Sequence, residues 1–146
     1  MFSMDSVENF LNELLANEQI MNNNFRLAHW NIIGKDFLSV HKFLDELYQQ
    51  SAADIDAIAE RIKISGFSVQ GTLQNYINNS SLTNLPFESF YSEDIFKKLS
   101  YDLEEYINYL GTSIQSYNFE IGNENYLLNL LEQKEKTLWL IKSHIL

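Results

Sequence analysis

Cysteine is absent from this 146-residue chain. Disulfide stapling and thiol catalysis are therefore excluded, and any redox chemistry must act through a metal or another cofactor. One proline and five glycines leave long stretches with nothing to interrupt a helix. No apolar run approaches the roughly 20 residues that a bilayer span requires, so no membrane partner is expected. The N-terminal segment has neither a basic n-region nor a continuous apolar stretch. It does not read as a signal peptide, and the cytoplasm is the expected location. Basic residues are scarce, 10 against 20 acidic ones for a formal net charge of −10, and none precedes Arg26. A basic stripe or tail for neutralising phosphates is thus missing, which argues against nucleic acid or anionic lipid as a partner. An acidic surface attracts cations instead.

Helical periodicity runs through most of the chain. Val7, Phe10, Leu11, Leu14, Met21, Phe25 and Ala28 share one helical face and predict a first helix from about residue 5 to 31. After Gly34, Phe37, Val40, Leu44, Leu47, Ala52, Ile55, Ile58, Ala59 and Ile62 predict a second, ending near Gly66. Phe96, Leu99, Leu103, Tyr106, Leu110 and Ile114 place a third at about 93–119, with Gly111 inside it. A fourth follows Gly122 and carries Leu127, Leu130, Leu131, Leu138, Ile141 and Ile145. The connection over about 67–92 is too long for a bundle turn, and residues 72–77 within it are compatible with a short helix. Two hairpins joined by one long crossover make an all-α, ferritin-like four-helix bundle, a single domain over residues 1–146.

Three histidines offer metal-ligating chemistry: His29 near the end of the first helix, His41 early in the second, and His144. His41 and Asp45 stand i,i+4 on one face, as do Asp56 and Glu60. Taken singly, each is more often a surface or core group than a ligand. Fifteen residues separate His41 from Asp56 on one helix, about 22 Å along its axis. They cannot hold the same ion within one chain. If they share a site, the second helix must run antiparallel to its copy, and a two-fold axis then generates two sites per dimer. Imidazole with carboxylate suits Fe(II), Zn or Mn.

The stretch His29-Trp30-Asn31-Ile32-Ile33-Gly34-Lys35-Asp36-Phe37, followed by Val40-His41, resembles the H-W-N-x-x-G-x-x-F…H motif of the Dps family. Asp56-Ala57-Ile58-Ala59-Glu60-Arg61 resembles its D-x-x-A-E-R segment. Further similarity lies in Gly71-Thr72-Leu73 and in Lys136-Thr137-Leu138-Trp139; the match is dense from Leu11 to Leu73 and sparse beyond Ser92. The resemblance implies an inter-subunit ferroxidase centre of His29, His41, Asp56 and Glu60, with Asp45 at an accessory carboxylate position. It also implies a homo-dodecameric shell of tetrahedral symmetry that oxidises Fe(II) with hydrogen peroxide (or dioxygen) and stores the ferric mineral. Zinc and manganese are alternative occupants of such a ligand set. Trp30, beside a ligand, is read as interface packing or as a sink for a stray oxidising equivalent. The tyrosines Tyr101, Tyr106, Tyr109 and Tyr117 are read as core and interface, and His144 as a surface group.

Two departures from the family pattern stand out. DNA-binding members often carry a lysine-rich N-terminal tail, whereas Asp5, Glu8, Glu13 and Glu18 occupy this one. A shell of such chains would carry on the order of −120 charges and repel a duplex. Where relatives line a three-fold pore with aspartates, residues 122–129 here hold several asparagines and only Glu124 as a charge, leaving Glu120, Glu124 and Glu132 as the candidate pore residues. The alternatives to iron storage are a DNA-coating protein and a surface or interaction protein of the same fold. Charge separates the first of these. The protein should leave duplex DNA unshifted in a low-salt gel without magnesium; a shift there would overturn the electrostatic argument.

Overall fold

The computed structural model describes residues 4–146, and side chains from Ser6 onward. Asp5 therefore lies outside the described side chains. Five helices follow in order: α1 (Met4–Asn31), α2 (Phe37–Ile64), α3 (Leu73–Asn79), α4 (Ser92–Ser116) and α5 (Ile121–Ser143). No strand forms among the described residues; a single bridge joins Ile33 to Tyr91. The long helices pair as two hairpins, α1 with α2 and α4 with α5, and α3 lies against α1. This is the expected bundle with its crossover.

The apolar faces read from periodicity are the ones that close the core. Phe10, Leu11, Leu14, Met21, Phe25 and Ala28 of α1 are buried against Val40, Leu44, Ile58 and Ile62 of α2. Ile95, Phe96, Leu99, Leu103, Tyr106 and Leu110 of α4 join Leu127, Leu130 and Ile141 of α5. Phe37 is an exception. It is 40% exposed, because its ring lies on the His41 imidazole, with centroids 4.9 Å apart, instead of facing the core.

Two glycines end turns that other residues strain to make. Gly34 (φ 116°) reverses the chain between α1 and α2, and the Ile33 amide then donates to the Phe90 carbonyl at 3.0 Å. Gly66 (φ 86°) closes α2: the Phe67 amide reaches back to the Ile62 carbonyl at 3.1 Å, satisfying an otherwise orphaned acceptor.

The boundary between α4 and α5 differs from the sequence expectation. The third long helix stops at Ser116 rather than near Phe119, because Tyr117 and Phe119 turn inward onto Phe10 at centroid distances of 5.3 and 5.5 Å. Gly122 lies in the first turn of α5 instead of preceding it, and its Cα faces the Arg61 guanidinium. In both cases aromatic burial and a tertiary contact override local punctuation.

The crossover is well anchored. Thr72 caps α3 through a capping box with Asn75, its hydroxyl accepting from the Asn75 amide at 3.0 Å. Two buried asparagines of α1 hold the flanking chain. Asn12 accepts from the Gln70 amide (2.8 Å) and donates to the Ser68 carbonyl (3.2 Å). Asn17 accepts from the Ser81 amide and from the Ser80 hydroxyl, both at 2.9 Å. These bonds satisfy backbone groups that an extended segment would otherwise bury unpaired.

Gly34→Ala should cost about 1–2 kcal/mol in chemical denaturation, and more than Gly66→Ala. A Cβ at Gly34 meets the Tyr91 ring at 3.3 Å, whereas one at Gly66 meets nothing within 4 Å. Equal costs would mean that backbone conformation alone matters at both turns.

Candidate metal centre

His29 ends the first long helix and His41 stands one turn into the second, so the short reversal at Gly34 brings them face to face. Their rings stack at a centroid distance of 3.7 Å with planes 14° apart. Each is held by the other's backbone: His29 Nδ1 lies 2.7 Å from the His41 carbonyl, and His41 Nδ1 lies 2.7 Å from the His29 carbonyl. A carbonyl only accepts, so both Nδ1 atoms carry the hydrogen. In the neutral rings both Nε2 atoms are left with free lone pairs. Donation of one ring N–H to a backbone carbonyl is the usual way a metal-binding imidazole is oriented, and here two are oriented reciprocally.

Asp45 and Tyr48 complete this end of the site. The Tyr48 ring packs edge-on against His29, with centroids 5.3 Å apart. Its hydroxyl donates to the Asp45 carboxylate, which holds that carboxylate below its ordinary range. Partial burial opposes the shift, and Gln49 and the two imidazoles add to it. The same bond raises the Tyr48 phenol. The Arg26 guanidinium lies over the Tyr48 ring, 4.9 Å from its centroid. Tyr48 and Arg26 were not expected from sequence, although the spacing His41, Asp45, Tyr48 (i, i+4, i+7) marks one helical face.

Asp56 and Glu60 project from the second half of α2, both exposed. Glu60 is held above the ordinary carboxylate range, first by its hydrogen bond with Asp56 and then by the Asp56 charge. Among the described residues, no three histidine, aspartate or glutamate side chains converge tightly enough to hold a metal ion within one chain. The structure thus brings His29 to His41 and Asp45, and keeps Asp56 with Glu60, as two separate groups.

The other sequence candidates are more scattered. Glu120, Glu124 and Glu132 are all exposed on the first half of α5, Glu120 as its N-cap residue. His144 is exposed, yet its ring rests on Phe96 and Phe43 at centroid distances of 4.5 and 5.2 Å. Trp30 is 64% exposed, beside Leu73 (80%) and Ile77 (67%). Glu18, grouped above with the acidic N-terminal charges, requires a correction: it is fully buried and paired with Lys134, so it contributes nothing to a repulsive surface.

Comparison with known proteins gives this geometry a family. The ferritin-like domain matches residues 8–145. The DNA protection during starvation protein of Helicobacter pylori is 31% identical over 120 residues, covering 80% of this chain and 83% of its own. The chain belongs to the Dps family of ferritin-like proteins. Solved structures show the same fold. Staphylococcus aureus Dps superposes with a TM-score of 0.88 at 24% identity, covering 100% of this chain and 99% of its own. A Mycobacterium smegmatis Dps1 mutant superposes with a TM-score of 0.90 at 21% identity, covering 99% and 100%.

The Asp56–Glu60 pair makes a stability prediction. A carboxylate raised in the folded state contributes stability below its unfolded pKa and loses it as pH rises through the raised value. Near pH 7, without metal, the pair repels. Glu60→Gln should therefore leave the thermal midpoint of the metal-free protein unchanged or slightly higher at pH 7. A marked fall in the midpoint would reveal a structural role for Glu60 instead.

Proposed function

We propose that this Dps protein is a ferroxidase and iron-storage protein that oxidises Fe(II) at sites shared between two copies. His29 and His41 of one copy would meet Asp56 and Glu60 of another across a two-fold axis, with Asp45 nearby. The observation that carries this reading is the reciprocal His29–His41 lock, which frees two Nε2 lone pairs beside no sufficient carboxylate set of their own. Each half-site lacks what the other offers. Neutral imidazoles bind Fe(II) without discharging it, and the repelling carboxylates gain most as iron becomes Fe(III). Hydrogen peroxide accepts two electrons and two protons to give two waters, so it consumes about two Fe(II) per molecule and need not release hydroxyl radical. Dioxygen is the alternative oxidant, and zinc or manganese would compete for the same donors. Family membership supports a ferric store within a closed dodecamer of tetrahedral symmetry, in the cytoplasm.

Asp56 and Glu60 supply negative charge, His29 and His41 supply neutral donors of fixed direction, and Tyr48 with Asp45 packs behind His29. Surface acidity, through groups such as Glu120, Glu124 and Glu132, favours cation approach and disfavours DNA.

Anaerobic Fe(II) loading followed by a peroxide pulse, read by ferric absorbance, tests the site. His41→Ala or Asp56→Ala should slow the first phase at least about tenfold, since even supporting groups around metal sites are worth that much. Unchanged kinetics in either would sink the assignment. Mixing the two variants adds a geometric test. About half of randomly formed two-fold pairs are hybrids, and each hybrid regenerates one intact site of its two, so about a quarter of the sites should return. Proven subunit exchange with no recovery would rule out a shared centre.

A further inference from the structure

The centre of each bundle holds a charged cluster that the interfacial site does not use. Each of the four long helices contributes one member: Glu18 from α1, Asp54 from α2, Tyr106 from α4 and Lys134 from α5, all buried. The Lys134 ammonium lies 2.8 Å from Glu18 Oε1 and 3.2 Å from Asp54 Oδ2, bridging carboxylates of two helices. The Tyr106 hydroxyl donates to Glu18 Oε1 at 2.9 Å, and the Ser51 hydroxyl donates to Glu18 Oε2 at 2.7 Å. Gln133 donates to Asp54 Oδ2 at 2.7 Å. Beside them the Tyr126 hydroxyl is buried with no hydrogen-bond partner.

This is the place where four-helix metalloproteins project carboxylates inward to hold metal ions. The donors here are all oxygens, a hard set suited to divalent cations such as Mn(II). Only the cation differs, since it is a side chain. Two carboxylates face a single positive charge, an imbalance that a divalent ion would remove. We infer that the bundle centre is a cation site of the protein's own that Lys134 occupies with its ammonium, closing the interior to divalent metal until that side chain is removed. Burial pushes the Lys134 ammonium down, but Glu18 and Asp54 together outweigh it and hold the group charged. The consequence rests on the proposed function: with the interior closed, iron would be confined to the shared sites and the cavity.

Lys134→Met removes the charge and keeps the side-chain length. Titration with Mn(II), read by loss of the free-ion electron paramagnetic resonance signal, should show one more bound equivalent per chain than wild type. Mn(II) should raise the thermal midpoint of the variant by several degrees and leave that of the wild type nearly unmoved. The extra equivalent should vanish in Glu18→Gln/Lys134→Met. It should persist when Asp56→Ala is added, so failure of the interfacial reading would leave this result untouched. A folded Lys134→Met protein with no added equivalent overturns the inference. So does a wild type that loses one Mn(II) on Glu18→Gln alone, since its interior would then already be open. If Lys134→Met does not fold without metal, Mn(II) should restore its helical circular dichroism. A chain that stays unfolded in Mn(II), while Glu18→Gln/Lys134→Met folds, equally defeats the proposal.

Discussion

A single ammonium ties the two halves of the bundle together. Lys134, on α5, reaches Glu18 on α1 and Asp54 on α2, and Glu18 in turn accepts from Tyr106 on α4. The apolar faces alone pack two hairpins against each other, but leucine and isoleucine contacts tolerate sliding along a helix axis. Charge-assisted hydrogen bonds at 2.8 to 3.2 Å do not, and they fix which turn of α5 faces which turn of α1 and α2. Such a cluster is costly to disrupt on one side: removing one partner of a buried ion pair typically costs about 3–5 kcal/mol because the other is left uncompensated. The polar centre therefore specifies the register that the apolar core stabilises.

With that register set, α2 becomes a rigid rod of 28 residues, about 42 Å long. His41 lies near one end, and Asp56 and Glu60 lie beyond its middle. No rotamer change closes that gap. The geometry of a regular helix thus keeps His41 apart from Asp56 and Glu60, and within one chain they cannot meet. The exposed Trp30, Leu73 and Ile77 flank the histidine end, on the faces of α1 and α3.

The histidine pair is ordered by the chain reversal between its two members. Gly34 permits a turn tight enough for His29 and His41 to exchange hydrogen bonds with each other's carbonyls. That exchange uses both Nδ1 atoms and satisfies the His29 carbonyl, which the end of α1 leaves without an intrahelical partner. The direction of each Nε2 is then a property of the backbone rather than of flexible side chains. Asp56 and Glu60 have no such support; they stand together on the exposed side of α2, and the neighbouring Asp56 holds the Glu60 carboxyl above its ordinary range.

Much of this protein could be read from order and spacing alone. Period 3.6 apolar patterning from about residue 5 to 31, and from Phe37 to near Gly66, predicts two long helices whose ends agree with the structure to within a residue or two, because helix formation depends on local propensity and on a face to bury. The separation of His41 from Asp56 is likewise a matter of counting at 1.5 Å per residue. Contacts between distant segments were not legible. Nothing in the sequence places Lys134 beside Glu18, 116 residues away, or turns Tyr117 and Phe119 inward to end α4 early. Neither does it show that the two imidazoles lock each other through their backbones. Those features depend on which faces pack together, and a charge or an aromatic ring finds its partner only after the helices have docked. Sequence determined the helices and the spacing of His41 from Asp56 and Glu60; tertiary packing alone decided which charges are buried and in which direction each histidine presents its free nitrogen.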